Sequence, residues 1–188
     1  GGLRYTMNII IAGCGKVGRA LAEQLSKEKH DITVIDLKPE SIQLVTNAAD
    51  VRGVVGNGAS YDIQMDAGVD KADLMIAVTN ADEVNLLCCL IAKKAGGCQT
   101  IARVRNPVYH HEIHHIKDEL GLSMVINPEW AAAMEMARLL RFPSAIDIDT
   151  FANGRIELLR FQLDDKNPLC GHKIRDLDTL SKCEVLVC

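Results

Sequence analysis

Three groups of residues in this chain have types and spacings suited to chemistry. The first is Gly13-Cys14-Gly15-Lys16-Val17-Gly18, a G-x-G-x-x-G between the apolar run Met7-Asn8-Ile9-Ile10-Ile11-Ala12 and an amphipathic segment. In a strand–turn–helix setting, Gly13 permits the tight turn and Gly15 lets a pyrophosphate approach the backbone. Gly18 lets the helix pack close to the strand. The helix N-terminus then offers N–H groups and a positive dipole end to phosphates, and Lys16 adds a point charge. The second is Asp36, which closes the next apolar run, Ile32-Thr33-Val34-Ile35. It stands about 20 residues beyond the glycines, where a dinucleotide fold needs an acid to accept both ribose hydroxyls. A carboxylate there repels a 2′-phosphate, so NADP is disfavoured, an inference that Lys38 softens. The third is His110-His111-Glu112-Ile113-His114-His115, which contains H-E-x-x-H. On a helix, His111 and His115 lie one turn apart and can share zinc, with Glu112 as general base. No third ligand is evident, so a solvated helix face is the preferred reading and no metal is assigned.

The elements that must position these groups alternate regularly. Apolar, β-branched strands are expected at 7–12, 32–35, 51–55, 74–78, 100–104 and 124–126. Helices are expected at 17–29, 39–49, 60–67, 81–95, 108–120 and 128–141. Continuous apolar strands separated by helix-length segments predict an α/β fold, a Rossmann-like doubly wound parallel sheet. Beyond Phe142-Pro143 the rhythm changes. Ile146 to Asp149 and Ile156 to Leu163 read as strands around an Asn153-Gly154 turn. Residues 174–180 and the apolar Val185-Leu186-Val187-Cys188 follow. The expectation is a nucleotide-binding domain over 7–141 and the start of a small α+β domain over 145–188. Residues 1–6, ahead of Met7, read as a leader or cloning remnant.

Composition narrows the function. With 48% hydrophobic and 24% charged residues the chain is globular rather than disordered. A net charge of -4 gives no basic footprint for nucleic acid or anionic lipid, and no apolar run approaches the length of a membrane span. The seven cysteines include no C-x-x-C, so Cys14, Cys88, Cys89 and Cys98 read as small apolar residues in a cytoplasmic chain. Tyr5, Tyr61 and Tyr109 are followed four residues on by Ile9, Met65 and Ile113, which excludes a short-chain dehydrogenase, whose signature is Tyr-x-x-x-Lys. Two helices, Leu86 to Ala92 and Ala131 to Leu140 with Trp130, are apolar around their circumference. They are expected in the core of the chain or in a homomeric interface.

Further segments carry a family resemblance. Gly56-Asn57-Gly58-Ala59-Ser60, Ala67-Gly68-Val69 with Ala72-Asp73, and Thr79-Asn80-Ala81-Asp82-Glu83 with Asn85 are similar to the regulator-of-potassium-conductance (RCK, or KTN) domains. So are Ile101 to Pro107 with Tyr109, and Asn127-Pro128-Glu129. The Trk-type potassium-uptake regulatory subunits are the most similar branch. Pro168-Leu169, Gly171, Ile174 and Leu177 resemble the start of that family's C-terminal subdomain. The resemblance implies a non-catalytic nucleotide sensor that binds NAD or NADH, or else ATP or ADP. It would pair into dimers that build a ring and gate a membrane potassium transporter or channel subunit at the inner face of the membrane, without inserting itself. By position, Gly13, Cys14, Gly15, Lys16, Val17 and Gly18 would hold the pyrophosphate and Asp36 the adenosine ribose. Thr79 and Asn80 would line the second mononucleotide half, and Arg103 would reach a phosphate or the distal ribose. Asn57 stands where many relatives carry aspartate, which removes a charge near the adenine side. Asp82 and Glu83 read as acids placed at the positive end of their helix. Two alternatives are an NAD-dependent oxidoreductase whose substrate domain lies outside these residues, and an S-adenosylmethionine methyltransferase, which fits the glycine spacing less well.

Overall fold

The computed structural model describes residues 6–142, 145–151 and 155–176, apart from the side chains of His110, His111 and His114. Chain contacts divide it into two units, parting between Ala131 and Ala132.

The first unit alternates strand and helix: β1 (Asn8–Ala12), α1 (Lys16–Lys27), β2 (Asp31–Asp36), α2 (Pro39–Ala48), β3 (Arg52–Val55), α3 (Tyr61–Asp66), β4 (Leu74–Ala77), α4 (Asp82–Gly96), β5 (Gln99–Arg103), α5 (Pro107–Ile116) and β6 (Met124–Ile126). A single 3-10 turn, Val69–Lys71, joins α3 to β4. The six strands are all parallel, in the order β3-β2-β1-β4-β5-β6. This is a doubly wound sheet whose order reverses between β1 and β4, where such folds open a crevice at the carboxyl ends of the strands.

Local chemistry explains the elements. Ile9, Ile10 and Ile11 are all buried because helices cover both faces of β1. Ile9 and Ile11 pack with Ala22 of α1 and with Ile42 and Val45 of α2. Ile10 and Ala12 pack on the other face with Cys88, Cys89 and Ala92 of α4. Proline at the first position starts both α2 and α5. Asn106 caps α5, its Oδ1 accepting the Val108 N–H at 3.0 Å. That helix ends at Ile116, short of the expected Leu120, and turns through Gly121 at φ +67°.

The final helix, α6 (Pro128–Arg141), begins in the first unit and runs mainly in the second. None of its described residues is buried. The second unit pairs β7 (Ala145–Phe151) with β8 (Ile156–Phe161) as an antiparallel ribbon, followed by a 3-10 turn at Ile174–Asp176. Several expectations fall outside the described residues: the Asn153-Gly154 turn, residues 177–180, the strand ending at Cys188, and nearly all of the leader.

Candidate functional site

The glycine turn lies where the sheet order reverses. The Gly13 N–H donates to the Ile35 carbonyl at 2.8 Å and the Val78 N–H donates to the Ala12 carbonyl at 2.8 Å, fastening the turn to β2 and β4. Gly13 adopts φ +103°, and a Cβ there would stand 2.8 Å from the Thr79 nitrogen. A Cβ on Gly18 would meet the Gly13 carbonyl oxygen at 1.8 Å, so this glycine seats α1 against the turn. Gly15 differs: a Cβ there would meet nothing within 4 Å. Its open side faces a cleft of about 340 Å³, within the range of small-molecule sites. No side chain caps the start of α1 and no acid stands in its first turn, so the helix supplies no side-chain partner for its own leading N–H groups.

Asp36 is held rather than free. The Cys14 N–H donates to its Oδ2 at 2.7 Å and the Lys38 N–H to its Oδ1 at 2.9 Å. One backbone donor per oxygen fixes the carboxylate and leaves each oxygen lone-pair capacity for a hydroxyl. The cleft is further lined by Ser41 after β2, Gly56, Asn57 and Gly58 after β3, and Thr79, Asn80 and Ala81 after β4. Asn57 is exposed, and its Oδ1 accepts the Ala59 N–H at 3.0 Å to form a tight turn. Lys16 is exposed at the head of α1, and Val17 is half-buried.

Arg103 is buried at the end of β5, with 7% of its surface exposed, and does not line the cleft. Its Nη2 donates to the Thr79 carbonyl at 2.7 Å. Its Nε has no hydrogen-bond partner among the described residues. The guanidinium therefore stands behind the wall that Thr79 forms, deeper than a surface cation at a strand end. Asp82 is also more than an acid at a helix start. Its Oδ2 accepts the Arg105 and Asn106 N–H groups at 2.9 and 2.8 Å, binding the β5–α5 loop to α4.

The buried thiols of Cys14, Cys88 and Cys89 take no part. Burial, with Asp36 as the next cause, pushes the Cys14 thiol up to about 12. Burial likewise pushes Cys88 up to about 12 and Cys89 upward. All three stay protonated at neutral pH, unsuited to nucleophilic or metal-binding roles. The His110 to His115 segment lies on α5, but three of its four histidine side chains are outside the described residues. A cleft of about 570 Å³ opens at the opposite, amino-terminal ends of the strands, lined by exposed Lys29, Asp31, Asp50, Arg52 and Lys71. Its charges are of both signs, and helix C-termini rather than N-termini end beside it.

Sequence reasoning gave no role to two buried amides, Gln64 and Asn85, although Asn85 belongs to a family-like segment. Polar residues inside apolar helices were the available signal, since a buried amide needs partners.

The family model described as TrkA-N domain matches residues 9–128. Over 171 residues the chain is 39% identical to a Trk system potassium uptake protein TrkA homolog of Archaeoglobus fulgidus. That alignment covers 91% of this chain but 39% of the relative, so the chain spans about two-fifths of the relative's length. The TrkA-N domain of the inner membrane protein YbaL from Escherichia coli superimposes with a TM-score of 0.63 at 25% identity. The match covers 72% of this chain and 98% of that one. A GsuK channel bound to NAD gives a TM-score of 0.55 at 19% identity, covering 66% of this chain and 22% of that one. At that identity the likeness establishes a common fold.

Proposed function

The chain belongs to the TrkA-N domain family, and from that premise we propose that it is the nucleotide-sensing part of a non-catalytic regulator of membrane potassium uptake. One observation carries the reading. An uncapped helix N-terminus, a glycine with open space at its Cβ position and a backbone-held Asp36 converge on one cleft at the switch point of the sheet. These residues fit an adenine nucleotide or dinucleotide. The turn of Gly13, Cys14, Gly15, Lys16, Val17 and Gly18 receives the phosphates. The Gly13 and Cys14 N–H groups are spent on Ile35 and Asp36 and shape the turn, and the N–H groups from Gly15 onward, with the helix dipole, meet the ligand. The two oxygens of Asp36 accept the ribose hydroxyls, and Asn57 borders the adenine side. Thr79 and Asn80 line the second half, with the Arg103 guanidinium behind them as positive charge toward a phosphate or distal ribose.

NAD or NADH is the favoured ligand, because the cleft continues past the glycine turn to Thr79 and Asn80; ATP or ADP would use the same first half. A bound dinucleotide supplies hydride chemistry only when a substrate site stands beside it. Here the chain's own residues bind and orient. Residues 7–141 are assigned as the nucleotide-binding domain and 145–188 as the start of the C-terminal subdomain. The protein works at the cytoplasmic face of the membrane, as a homodimer that builds a ring against a potassium transporter or channel subunit. No helix among the described residues is long and apolar enough to cross a membrane. Regulation requires the nucleotide to favour one geometry of the assembly over another.

The test is calorimetric titration of NAD, NADH, ATP and ADP into the wild type and Asp36→Ala. At least one nucleotide should bind the wild type, with affinity lost by about tenfold or more in the variant. Failure of all four to bind the wild type overturns the reading.

A further inference from the structure

Two fully buried side-chain amides stand behind the two walls of the cleft. Asn85, in the first turn of α4, uses its whole hydrogen-bonding capacity on the ends of two strands. Its Oδ1 accepts the Thr79 N–H and the Thr79 hydroxyl, each at 2.7 Å. Its Nδ2 donates to the Thr79 carbonyl at 3.2 Å and to the Arg103 carbonyl at 2.9 Å. Thr79 is thus clamped on both sides of its own Cα and tied to β5. Gln64, on α3, does the corresponding work on the other wall. Its Nε2 donates to the Gly58 carbonyl at 2.7 Å and to the Cys88 carbonyl of α4 at 2.9 Å. Asn85 and Cys88 lie three residues apart, on one face of the same helix. One strut, α4, therefore fixes both the segment after β3 and the segment after β4.

We propose that Asn85 and Gln64 are positioning residues, each serving a different half of the nucleotide site: Gln64 the adenosine half through Gly58, and Asn85 the distal half through Thr79. The inference rests on the nucleotide reading above. Desolvated amides are costly where a group goes unpaired. Asn85 pairs both its oxygen and its nitrogen, whereas Oε1 of Gln64 has no hydrogen-bond partner among the described residues. Three of the four bonds of Asn85 converge on Thr79 in the cleft wall, and the fourth ties that residue to the end of β5 at the Arg103 carbonyl. The glycine turn has separate anchors, since Gly13 is tied to Ile35 and Cys14 to Asp36. Loss of Asn85 should therefore release the distal half and leave the adenosine half in place.

The experiment titrates AMP, which fills the first half alone, and NAD, which spans both, into the full chain and its variants. Asn85→Ala should weaken NAD by about tenfold while changing AMP by less than about twofold. Gln64→Met, which keeps the volume and removes the amide, should weaken AMP and NAD by the same factor. A purely structural role would move the melting temperature of Asn85→Ala without separating the two ligands, and that of Gln64→Met without weakening AMP. Asn85→Ser, a milder lesion, is read by the same NAD-to-AMP ratio if Asn85→Ala does not fold. Equal losses of AMP and NAD in the Asn85 variant, or no loss, overturn its assignment, and unchanged AMP binding in Gln64→Met overturns the other. A wild type that binds AMP but not NAD removes the distal half and with it the proposal. A wild type that binds neither AMP nor NAD overturns this proposal, and only if NADH, ATP and ADP fail as well does the nucleotide reading itself fall.

Discussion

Gly15 and Gly18 belong to one turn, yet they are glycine for opposite reasons. A Cβ at Gly18 would sit 1.8 Å from the Gly13 carbonyl oxygen, whereas one at Gly15 would meet open space. Gly15 also has φ -68°, which alanine adopts without strain. The two substitutions should therefore separate folding from binding. Gly18→Ala forces α1 away from the turn and should cost at least the ~1–3 kcal/mol of an overpacked core. Gly15→Ala should leave stability within about 0.5 kcal/mol of the wild type while reducing nucleotide affinity by about tenfold or more. Thermal melting and calorimetry on the same two variants check this. A Gly15→Ala protein that binds nucleotide like the wild type would mean that the phosphates do not approach here.

At the scale of elements, the βα alternation was legible because each strand and helix is specified locally. β1, β4 and β6 are apolar runs, β2 is β-branched between two aspartates, and α2 and α5 open on proline. The glycines and Asp36 were legible for the same reason, since a turn and a strand end carry them. What stayed hidden depends on residues far apart in the chain. Nothing near Asn85 announces that it meets Arg103 across 18 positions, nor that Gln64 meets Cys88 across 24. Arg103 looked like a residue reaching out from a strand end, but the sheet order buries it behind Thr79. The 3-10 turn at Val69–Lys71 is too short to leave a periodic signal. The α5 cap is a feature whose worth can be measured alone. Asn106→Ala removes the bond to the Val108 N–H but keeps Pro107, and should destabilise the chain by about 1 kcal/mol. Denaturant unfolding with an unchanged slope would show that loss as a shifted midpoint. No shift would mean that the helix is held by packing and by Asp82 alone.

For the whole molecule, the unresolved balance is the apolar surface of α6. Trp130, Met134, Met136, Leu139 and Leu140 are all more than half exposed, Leu140 at 77%, and they spread around the helix instead of forming one stripe. A helix apolar on all sides is stable in water only when covered on more than one side, and each such side chain gains about 1.5–3 kcal/mol on burial. Within the first unit, Leu87 on α4 is exposed as well, beside half-buried Leu86 and Leu90. This argues for coverage by further copies of the chain, in keeping with the assembly proposed above. Trp130 is the single tryptophan, so intrinsic fluorescence reports this helix directly. Sedimentation velocity at micromolar concentration should show a dimer or larger species with blue-shifted tryptophan emission. Leu140→Glu combined with Met136→Glu should yield a monomer with red-shifted emission and an intact Rossmann unit that still binds nucleotide. A wild type that sediments as a monomer with solvent-exposed Trp130 would remove self-association as the cover for α6, and with it the ring through which a nucleotide signal would reach a membrane partner.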